Sequence, residues 1–470
     1  MFSPLIKNIA LLFQLLICNQ SIVIANSDMI NISSGKIIDS VKCCKHPSFS
    51  YAIYLPSKYN KQSKWPVIYI FDPAARGSSG VQCFMQAAEK YGYILACSNN
   101  SRNGDMKLSI EAAYNMFEDV ELRFSLDFRR IYTSGFSGGS RVASFIALNS
   151  EKIAGVIGCG AGFPALDFSL ITNFKSFSYV GIVGFKDMNY HEMLDLEKEI
   201  TKLGATTVIL RFDGGHRKPD ADIVDIAVGW IQLQAMHKGF LPENDTLLNS
   251  LFEKWNLSLK EFKTQKDWAS AANYYKYLIE YFPTFSNTLH YKEKLDSLIT
   301  SKYYKKALRE WENSRTEEIA SIALLMNSSK DIIEAESVPD SIMHQWNTRI
   351  ANLRSLTSAK NIQVQRMAAR VLNMLWISGN MQTTNMFESK QYAKAITAIQ
   401  LTLAIEPENC YTYYQLACAY AYNKEFKKSV KFLKKTVELG FKNKKAIENE
   451  AAFVPLRNDK LFQSIIAKLE

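Results

Sequence analysis

Residues Arg130–Ala147 have the sequence RIYTSGFSGGSRVASFIA, and this stretch decides the fold. It begins as an apolar strand, passes through G-F-S-G-G and continues as a helix of small residues. A serine on a sharp turn between strand and helix needs neighbours without a Cβ, because the two backbones pass close to it. Gly135 and Gly139 take those two places. The pattern predicts that Ser137 stands at the strand's end as a nucleophile, with the N–H of Gly138 directed to where an oxyanion forms.

Composition limits the domains and the partners. The chain has 470 residues, enough for two or three domains, and 47% of them are apolar, so a sizeable core can form. The net charge is +10, but the lysines are scattered and no arginine-rich run occurs. We interpret the lysines as solvated helix faces and expect no nucleic-acid partner. After residue 25, no segment reaches the length of about 20 apolar residues that a membrane span needs.

The N-terminus has the pattern of an export signal. Lys7 precedes a mostly apolar run over residues 9–18, and the residues at 23 and 25 permit cleavage before Asn26. We therefore predict a signal peptide over residues 1–25 and a periplasmic or extracellular protein. Lipid attachment at Cys18 is the alternative, which Ile17 disfavours because a small residue is expected there.

The cysteines suggest no cofactor. Seven of the eight follow the predicted signal, and no C-x-x-C or Cys/His spacing suggests a metal site. Export permits disulfides, but their connectivity stays open. We interpret Cys97 and Cys159 as buried thiols, because both lie in strand-like runs.

Apolar runs alternate with amphipathic segments as far as residue 237. The predicted strands are 35–41, 49–55, 65–71, 93–97, 131–134, 153–159, 179–184 and 206–212. Besides the helix after Ser137, the predicted helices are 81–91, 108–124, 190–203 and 220–237. This alternation indicates an α/β fold with a mostly parallel sheet between helices, after two antiparallel lead-in strands. Ligands bind at the carboxyl ends of such strands, and the interval 160–178 leaves no room for a helical lid.

Residues 34–240 resemble the α/β-hydrolase fold, and in particular compact lidless esterases of the polyhydroxybutyrate-depolymerase and feruloyl-esterase type. The resemblance rests on a serine, an acid and a histidine in the family's order. It implies that Asp187, in a turn similar to the family's G-x-x-D, orients the histidine; the alternative is an aspartate that favours a helix N-terminus. His216 follows the last strand in a glycine-rich loop and is the predicted general base. Asp213 is the rival acid, but it lies only three residues before His216.

The second oxyanion donor is expected from the loop over residues 72–80. Relatives usually carry His-Gly at its start, whereas this chain has Asp72-Pro73. Because proline has no N–H, Ala74 or Ala75 must donate. The loop over residues 98–104 also follows a strand, and it either lines the substrate groove or is an ordinary polar turn.

The C-terminal half is helical and contains a repeat. Residues 392, 395, 396, 402 and 405 recur with similar character 34 positions later, at 426, 429, 430, 436 and 439. The period resembles tetratricopeptide repeats, with a partial unit at 268–283, whereas residues 314–380 match no repeat. Such helices bind a protein or peptide partner on a concave surface, or only pack on the hydrolase core and shape its cleft.

We therefore predict three segments: a signal peptide (1–25), an α/β-hydrolase domain (26–240) and an α-helical tetratricopeptide-like domain (241–470). A chain ending near Phe240 is expected to fold alone. The predicted function is that of an exported serine hydrolase that cleaves carboxylic esters, including bulky or polymeric ones because no lid is expected. The alternatives are a serine peptidase of the same fold and an inactive hydrolase-fold protein that binds partners through its repeats.

Overall fold

The computed structural model describes residues 32–164, 177–283, 288–335 and 338–469. The predicted signal peptide, the cleavage site before Asn26 and the alternative lipid site at Cys18 lie outside these residues. So does most of the connection in which we expect no lid, residues 165–176. Within the described ranges, no helix is long and apolar enough to cross a membrane.

The apolar runs of the N-terminal half form an eight-stranded sheet within the described residues. Its strands are β1 (Ile37–Lys42), β2 (Ser50–Tyr54), β3 (Trp65–Phe71), β4 (Ile94–Ser98), β5 (Leu126–Phe136), β6 (Gly155–Cys159), β7 (Ser178–Gly184) and β8 (Thr206–Phe212). Their order across the sheet is β1-β2-β4-β3-β5-β6-β7-β8. The pairs β1–β2 and β2–β4 are antiparallel and all others are parallel. The predicted mostly parallel sheet with an antiparallel lead-in is confirmed.

Helices cover both faces of this sheet. They are α1 (Gly77–Tyr91), α2 (Met106–Arg123), α3 (Gly138–Leu148), α4 (Tyr190–Lys202) and α5 (Ala221–His237). The ring of Tyr69 in β3 lies 3.9 Å from that of Phe117 in α2, whereas the next residue, Ile70, contacts α1 at Gly80. Successive side chains of a strand point to opposite faces, so α1 and α2 lie on opposite sides of the sheet.

Most boundaries lie within two residues of the sequence prediction, and two starts differ by four or five residues. Strand β5 begins at Leu126, not at residue 131, because the charges that interrupt its apolar run are paired: Asp127 accepts hydrogen bonds from Arg129 and Arg130. Helix α1 begins at Gly77, not at residue 81, because its first turn, GSSG, has no apolar pattern to mark it. The loop after β3 is therefore shorter than predicted.

The C-terminal half is helical throughout its described residues. Its helices are α6 (Asp245–Thr264), α7 (Trp268–Tyr281), α8 (Thr288–Thr300), α9 (Lys302–Glu334), α10 (Asp340–Leu356), α11 (Ile362–Glu388), α12 (Tyr392–Ile405), α13 (Cys410–Tyr422), α14 (Phe426–Glu438), α15 (Lys444–Asn449), a 3₁₀ helix (Ala451–Leu456) and α16 (Lys460–Ile466). This confirms the predicted all-α region after the sheet.

The first helices of this region cover the edge of the sheet. Strand β8 is an edge strand, and unpaired edge groups need a cover. Helix α7 provides it: the Tyr277 hydroxyl accepts from the N–H of Ile209 at 3.3 Å, and the Tyr281 hydroxyl donates to the Thr207 carbonyl at 2.9 Å. One hydrophobic core runs from the sheet through α6 and α7 to Phe282. The core thus extends across residue 240. The domain boundary at that residue stays a prediction.

Three turns of the helical half have the same conformation. Lys266, Lys390 and Lys424 have φ values of +57°, +56° and +62°, and each lies two residues before a helix, α7, α12 or α14. In every turn, the lysine N–H donates to the carbonyl three residues back and the next N–H to the carbonyl five residues before it. The two later turns are 34 residues apart. This recurrence agrees with two repeats and a partial third, while their tetratricopeptide character stays a prediction.

Candidate active site

The turn after β5 holds Ser137 in a strained conformation. Its φ is +53°, which a non-glycine residue rarely adopts and which costs about 1–3 kcal/mol. Close backbone packing maintains the turn: a Cβ on Gly135 would lie 2.3 Å from the Gly139 carbonyl, and one on Gly139 would lie 2.0 Å from the Phe71 carbonyl oxygen. The Ser137 N–H donates to the Cys159 carbonyl at 2.8 Å. The two glycines thus occupy the close approaches that the sequence predicts.

The structure brings Ser137, His216 and Asp187 together. His216 Nε2 lies 2.9 Å from Ser137 Oγ, and His216 Nδ1 lies 3.0 Å from each carboxylate oxygen of Asp187. Asp187 is only 1% exposed, and the N–H of Asn189 also donates to it at 2.9 Å. Residues at the carboxyl ends of β5, β7 and β8 therefore form one hydrogen-bonded chain. In such a chain the histidine can take the serine proton while the aspartate holds the imidazole tautomer.

Gly160 leaves room for this pair. It follows β6 with a φ of +65°, and a Cβ on it would lie 3.3 Å from Asp187 Oδ2 and 3.4 Å from His216 Cε1. The ring of Phe136 packs on the imidazole with 4.8 Å between centroids. Gly160 and Phe136 therefore pack against the imidazole of His216 and restrict its position.

The rival acid has another partner. Asp213 is exposed over 80% of its side chain and pairs with Lys186, whose Nζ lies 2.8 Å from its Oδ1. Of the two aspartates weighed in the sequence, only Asp187 is hydrogen-bonded to His216 in the described part of the chain.

The N–H groups predicted as oxyanion donors differ in their hydrogen-bond partners. Gly138 is the first residue of α3, and its N–H has no acceptor among the described residues, as expected for the first turn of a helix. The N–H of Ala74, however, donates to Asp72 Oδ1 at 2.9 Å, and the N–H of Ala75 donates to the Asp72 carbonyl at 3.1 Å. Because both hydrogens are already engaged, this geometry speaks against Ala74 and Ala75 as the second donor.

The side chain of Asn103 lies beside Gly138. Its loop is fixed to the loop after β3 by a bridge between Ala74 and Arg102 and by the Asn103 N–H, which donates to the Pro73 carbonyl at 2.9 Å. A Cβ on Gly138 would lie 1.8 Å from Asn103 Oδ1 and 3.5 Å from its Nδ2. The Asn103 carboxamide has no hydrogen bond to any described residue, so it is free to turn its NH₂ toward a ligand.

Sequence reasoning left open whether the loop over residues 98–104 lines the groove or is an ordinary polar turn, and it did not single out Asn103. The available signal was a carboxamide after β4, two strands from the serine in the sheet order.

Asp72 ties the loop after β3 to the loop that carries His216. It is buried and accepts hydrogen bonds from Ala74 and Arg76, while Lys218 Nζ lies 2.6 Å from its Oδ2. Burial alone would raise the pKa of Asp72, but the hydrogen bonds from Lys218, Ala74 and Arg76 lower it below its ordinary value. Asp72 therefore anchors the loop after β3 to the histidine loop, since Lys218 lies two residues after His216.

The described residues contain no cluster of metal-ligating side chains, that is, no group of three or more histidine, cysteine, aspartate or glutamate side chains that could bind a metal ion. Cys97 and Cys159 are buried free thiols, as we interpreted them, and burial raises the pKa of both.

A cavity of about 670 Å³ lies beside the acid turn, where Phe185, Arg211 and Arg366 contribute to its wall. Neither Ser137 nor His216 lines it, so we do not assign the substrate to it.

The sheet, the strained serine turn after β5 and the order serine, acid, histidine define an α/β-hydrolase fold followed by an all-helical region. No protein-family model matches the chain, and no curated protein matches it.

Solved structures that resemble part of the chain include a hyperthermophilic esterase from the archaeon Pyrobaculum calidifontis (12% identity, 44% of this chain and 88% of that chain, TM-score 0.35). An S-formylglutathione hydrolase (FrmB) from Staphylococcus aureus has 12% identity over 39% of this chain and 92% of that chain, with a TM-score of 0.33. A ferulic acid esterase has 16% identity over 40% of this chain and 92% of that chain, with a TM-score of 0.32. Similarity of this size assigns no function to the chain.

Proposed function

We propose that this chain is an exported serine hydrolase that cleaves carboxylic esters. One observation carries the proposal: the continuous hydrogen-bonded chain from Ser137 Oγ to His216 Nε2 at 2.9 Å and from His216 Nδ1 to Asp187 at 3.0 Å. These distances are those of a nucleophile and a base within proton-transfer reach. The positive φ of Ser137, maintained by the glycines around it, supports the same role.

The chemistry follows from these contacts. Ser137 Oγ attacks the ester carbonyl carbon while His216 Nε2 takes the hydroxyl proton, and Asp187 stabilises the imidazolium. The carbonyl π electrons move to oxygen, and the N–H of Gly138 stabilises the oxyanion. When the tetrahedral intermediate collapses, the C–O bond to the alcohol breaks and His216 gives the proton to that alkoxide. Water then repeats the sequence on the acyl-serine, which releases the acid and restores Ser137.

We assign the second oxyanion donor to Asn103 in place of Ala74 or Ala75. Its carboxamide adjoins Gly138 and has no described partner, whereas both alanine N–H groups are engaged by Asp72. A side-chain amide can serve as an oxyanion donor, and loss of one donor typically lowers kcat by about 10²–10³-fold.

A fluorophosphonate probe tests the proposal, because it reacts with a serine only where a base activates that serine. We expect native protein to be labelled at Ser137, as mapped by mass spectrometry, and heat-denatured protein and His216→Ala to remain unlabelled. Native protein with neither label nor turnover of a short p-nitrophenyl ester would favour the inactive binding protein. Label with faster cleavage of an amide than of the matched ester would favour the peptidase.

Export and substrate size rest on the sequence. A mature chain beginning at Asn26 is expected by mass spectrometry, and a retained Met1 or a diacylglyceryl group on Cys18 would contradict it. Preference for a bulky or polymeric ester stays a prediction, because the connection after β6 lies largely outside the described residues.

A further inference from the structure

Two arginines of α11 are buried against the hydrolase half. Arg366 and Arg370 lie one turn apart and are 6% and 1% exposed. A buried guanidinium is costly unless its charge and its N–H groups all find partners. The positions of those partners therefore show what this helix does.

The partners of Arg370 lie on another helix and on the acid turn. Its Nε lies 3.0 and 2.9 Å from the two carboxylate oxygens of Glu318 in α9, and its Nη2 donates to Glu318 Oε2 at 2.7 Å. Its Nη1 donates to the carbonyl of Phe185 at 2.8 Å. Glu318 is 3% exposed and also contacts His191 Nε2 at 3.2 Å. The hydrogen bond from Arg370 to the Phe185 carbonyl connects this helix to the active site, because Phe185 is two residues before Asp187.

The same helix holds both ends of the turn that carries Asp187. At one end, the guanidinium of Arg366 lies 3.5 Å from the centroid of the Phe185 ring, while Arg366 Nη1 donates to Asp267 at 2.5 Å. At the other end, Arg370 lies over the ring of Tyr190 at 5.0 Å. The guanidinium groups of Arg366 and Arg370 thus contact both ends of the turn. Such planar cations stack on aromatic faces and donate hydrogen bonds in fixed directions.

Helix α11 also reaches the histidine loop. A Cβ on Gly215 would lie 2.8 Å from Nδ2 of Asn373, which is one turn beyond Arg370. The acid turn and the histidine loop contact each other as well, because the N–H of Lys186 donates to the Gly214 carbonyl at 2.9 Å. The loops carrying Asp187 and His216 are therefore covered by one helix from the other half of the chain.

We propose that Arg370, held by Glu318, is a positioning residue that fixes the Phe185–Tyr190 turn so that Asp187 keeps its hydrogen bonds to His216. This inference rests on the proposed function and extends it, because it makes α9 and α11 part of the catalytic apparatus. A lysine at 370 cannot donate to Glu318 and to the Phe185 carbonyl in the same fork geometry. A shift of about 1 Å in a catalytic group can cost about 10²-fold in rate.

The chain offers a matched control. Arg315 of α9 also crosses between the halves, with its Nη1 at 3.1 Å and its Nη2 at 2.5 Å from the carboxylate of Asp195, but it contacts α4 and not the acid turn. The test compares Arg370→Lys and the charge-neutral pair Arg370→Met/Glu318→Gln with Arg315→Gln. The neutral pair leaves no unpaired buried charge, so it retains the fold where a single neutral change does not.

We expect Arg370→Lys and the neutral pair each to lower kcat by about 10–100-fold with KM within about twofold, because alignment and not substrate binding is lost. Arg315→Gln should match the wild type in kcat and KM. Thermal unfolding of each variant verifies that the fold is retained.

A second readout is independent of turnover. Proton NMR should show a downfield resonance from the His216 Nδ1 proton, assigned by its absence in His216→Gln. It should be present in the wild type and Arg315→Gln and weakened or lost in Arg370→Lys. Wild-type kcat and a wild-type resonance in Arg370→Lys overturn the inference. If the wild type shows neither label nor turnover, but its His216 resonance is still weakened or lost in Arg370→Lys, only the proposed function is overturned.

Discussion

The serine side and the acid–histidine side of the site are held in different ways. Ser137 is fixed by its own neighbours in sequence and by the adjoining strands, through the close approach of Gly135 to Gly139 and of Gly139 to Phe71. The acid turn is fixed from far away, since the hydrogen bond from Arg370 to Phe185 joins residues 185 positions apart. The position of Ser137 therefore depends mainly on the turn and the strands beside it, whereas the position of Asp187 depends on contacts with a distant helix.

This difference has energetic consequences. Strain at Ser137 is a property of a packed turn, so it persists as long as the sheet does. The Arg370–Glu318 pair contributes little net stability over apolar groups of the same shape, but removal of one partner costs about 3–5 kcal/mol because a buried charge is left alone. The serine side should therefore tolerate distant changes that disrupt the acid side.

Removal of the helical half should have the largest effect. The core continues through α6 and α7, and α7 covers the β8 edge. We now expect a chain ending at residue 240 to aggregate, in contrast to the sequence-based expectation. A chain ending at residue 300 keeps α6–α8, and it should remain soluble and folded by circular dichroism, with low kcat because Arg370 is absent. A soluble, cooperatively unfolding chain ending at residue 240 would show that the sheet does not need α7.

Replacing the nucleophile or the base comes next. Ser137→Ala and His216→Ala should each reduce kcat for a short p-nitrophenyl ester by about 10⁶-fold, and the double variant by no more, because the two residues act as a unit. Circular dichroism serves to verify retained fold. Independent, additive effects would mean that the 2.9 Å contact between them is not the one used in catalysis.

The acid side should show a smaller effect that still distinguishes the two aspartates. Asp187→Asn should lower kcat by about 10⁴-fold, because the amide fixes the wrong imidazole tautomer. Asp213→Asn is the control, since Asp213 is exposed and pairs with Lys186. If Asp213→Asn abolished turnover while Asp187→Asn did not, the acid assignment would be wrong although the hydrolase proposal would stand.

The same division explains what could be predicted from the sequence. Parallel strands buried on both faces are continuous apolar runs, so most of the sheet could be predicted. The serine turn was predictable because G-x-S-x-G between a strand and a helix is a local sequence pattern, although the approach to Phe71 that requires Gly139 is not local. The first five residues of β5 were missed, since Asp127 and Arg129 look unfavourable in a strand until they pair.

Long-range features had no local pattern. Arg370 and Glu318 lie 52 residues apart, in the stretch 314–380 that matches no repeat. Nothing near either residue marks it as buried, because each looks like an ordinary charged residue on a helix. The choice of Asn103 over Ala74 likewise depends on a bridge between two loops.

Replacement of Asn103 tests the serine side of the site, and we expect a moderate effect on kcat. Asn103→Ala should lower kcat by about 10²-fold with KM little changed, because the donor acts on the oxyanion and not on the bound ester. Asn103→Asp should be at least as damaging, since a carboxylate repels the oxyanion. The exposed neighbour Arg102 supplies a control as Arg102→Ala, which keeps the bridge that its backbone makes to Ala74. Unchanged kcat in Asn103→Ala would return the role of second donor to the backbone.

The smallest effect is expected at Asp72, and it concerns stability and its pH dependence. Asp72→Asn keeps an oxygen for the Ala74 N–H and Arg76 but loses the ion pair to Lys218. It should therefore lower the free energy of unfolding at pH 7 by about 2 kcal/mol, as for a hydrogen bond to a charged group.

The folded-state pKa of Asp72 is lowered from 3.8, because hydrogen bonds from Lys218, Ala74 and Arg76 outweigh the burial that alone would raise it. A lowered pKa means that its contribution is complete above the unfolded value and is lost as pH falls through the folded value. The stability difference between wild type and Asp72→Asn, measured by urea unfolding, should therefore be constant from pH 7 to about 5 and shrink below about 3.8. A difference that grows on acidification would contradict the ion pair. A larger loss of kcat in Asp72→Asn than in Arg370→Lys would show that the serine side depends on tertiary contacts as much as the acid side does.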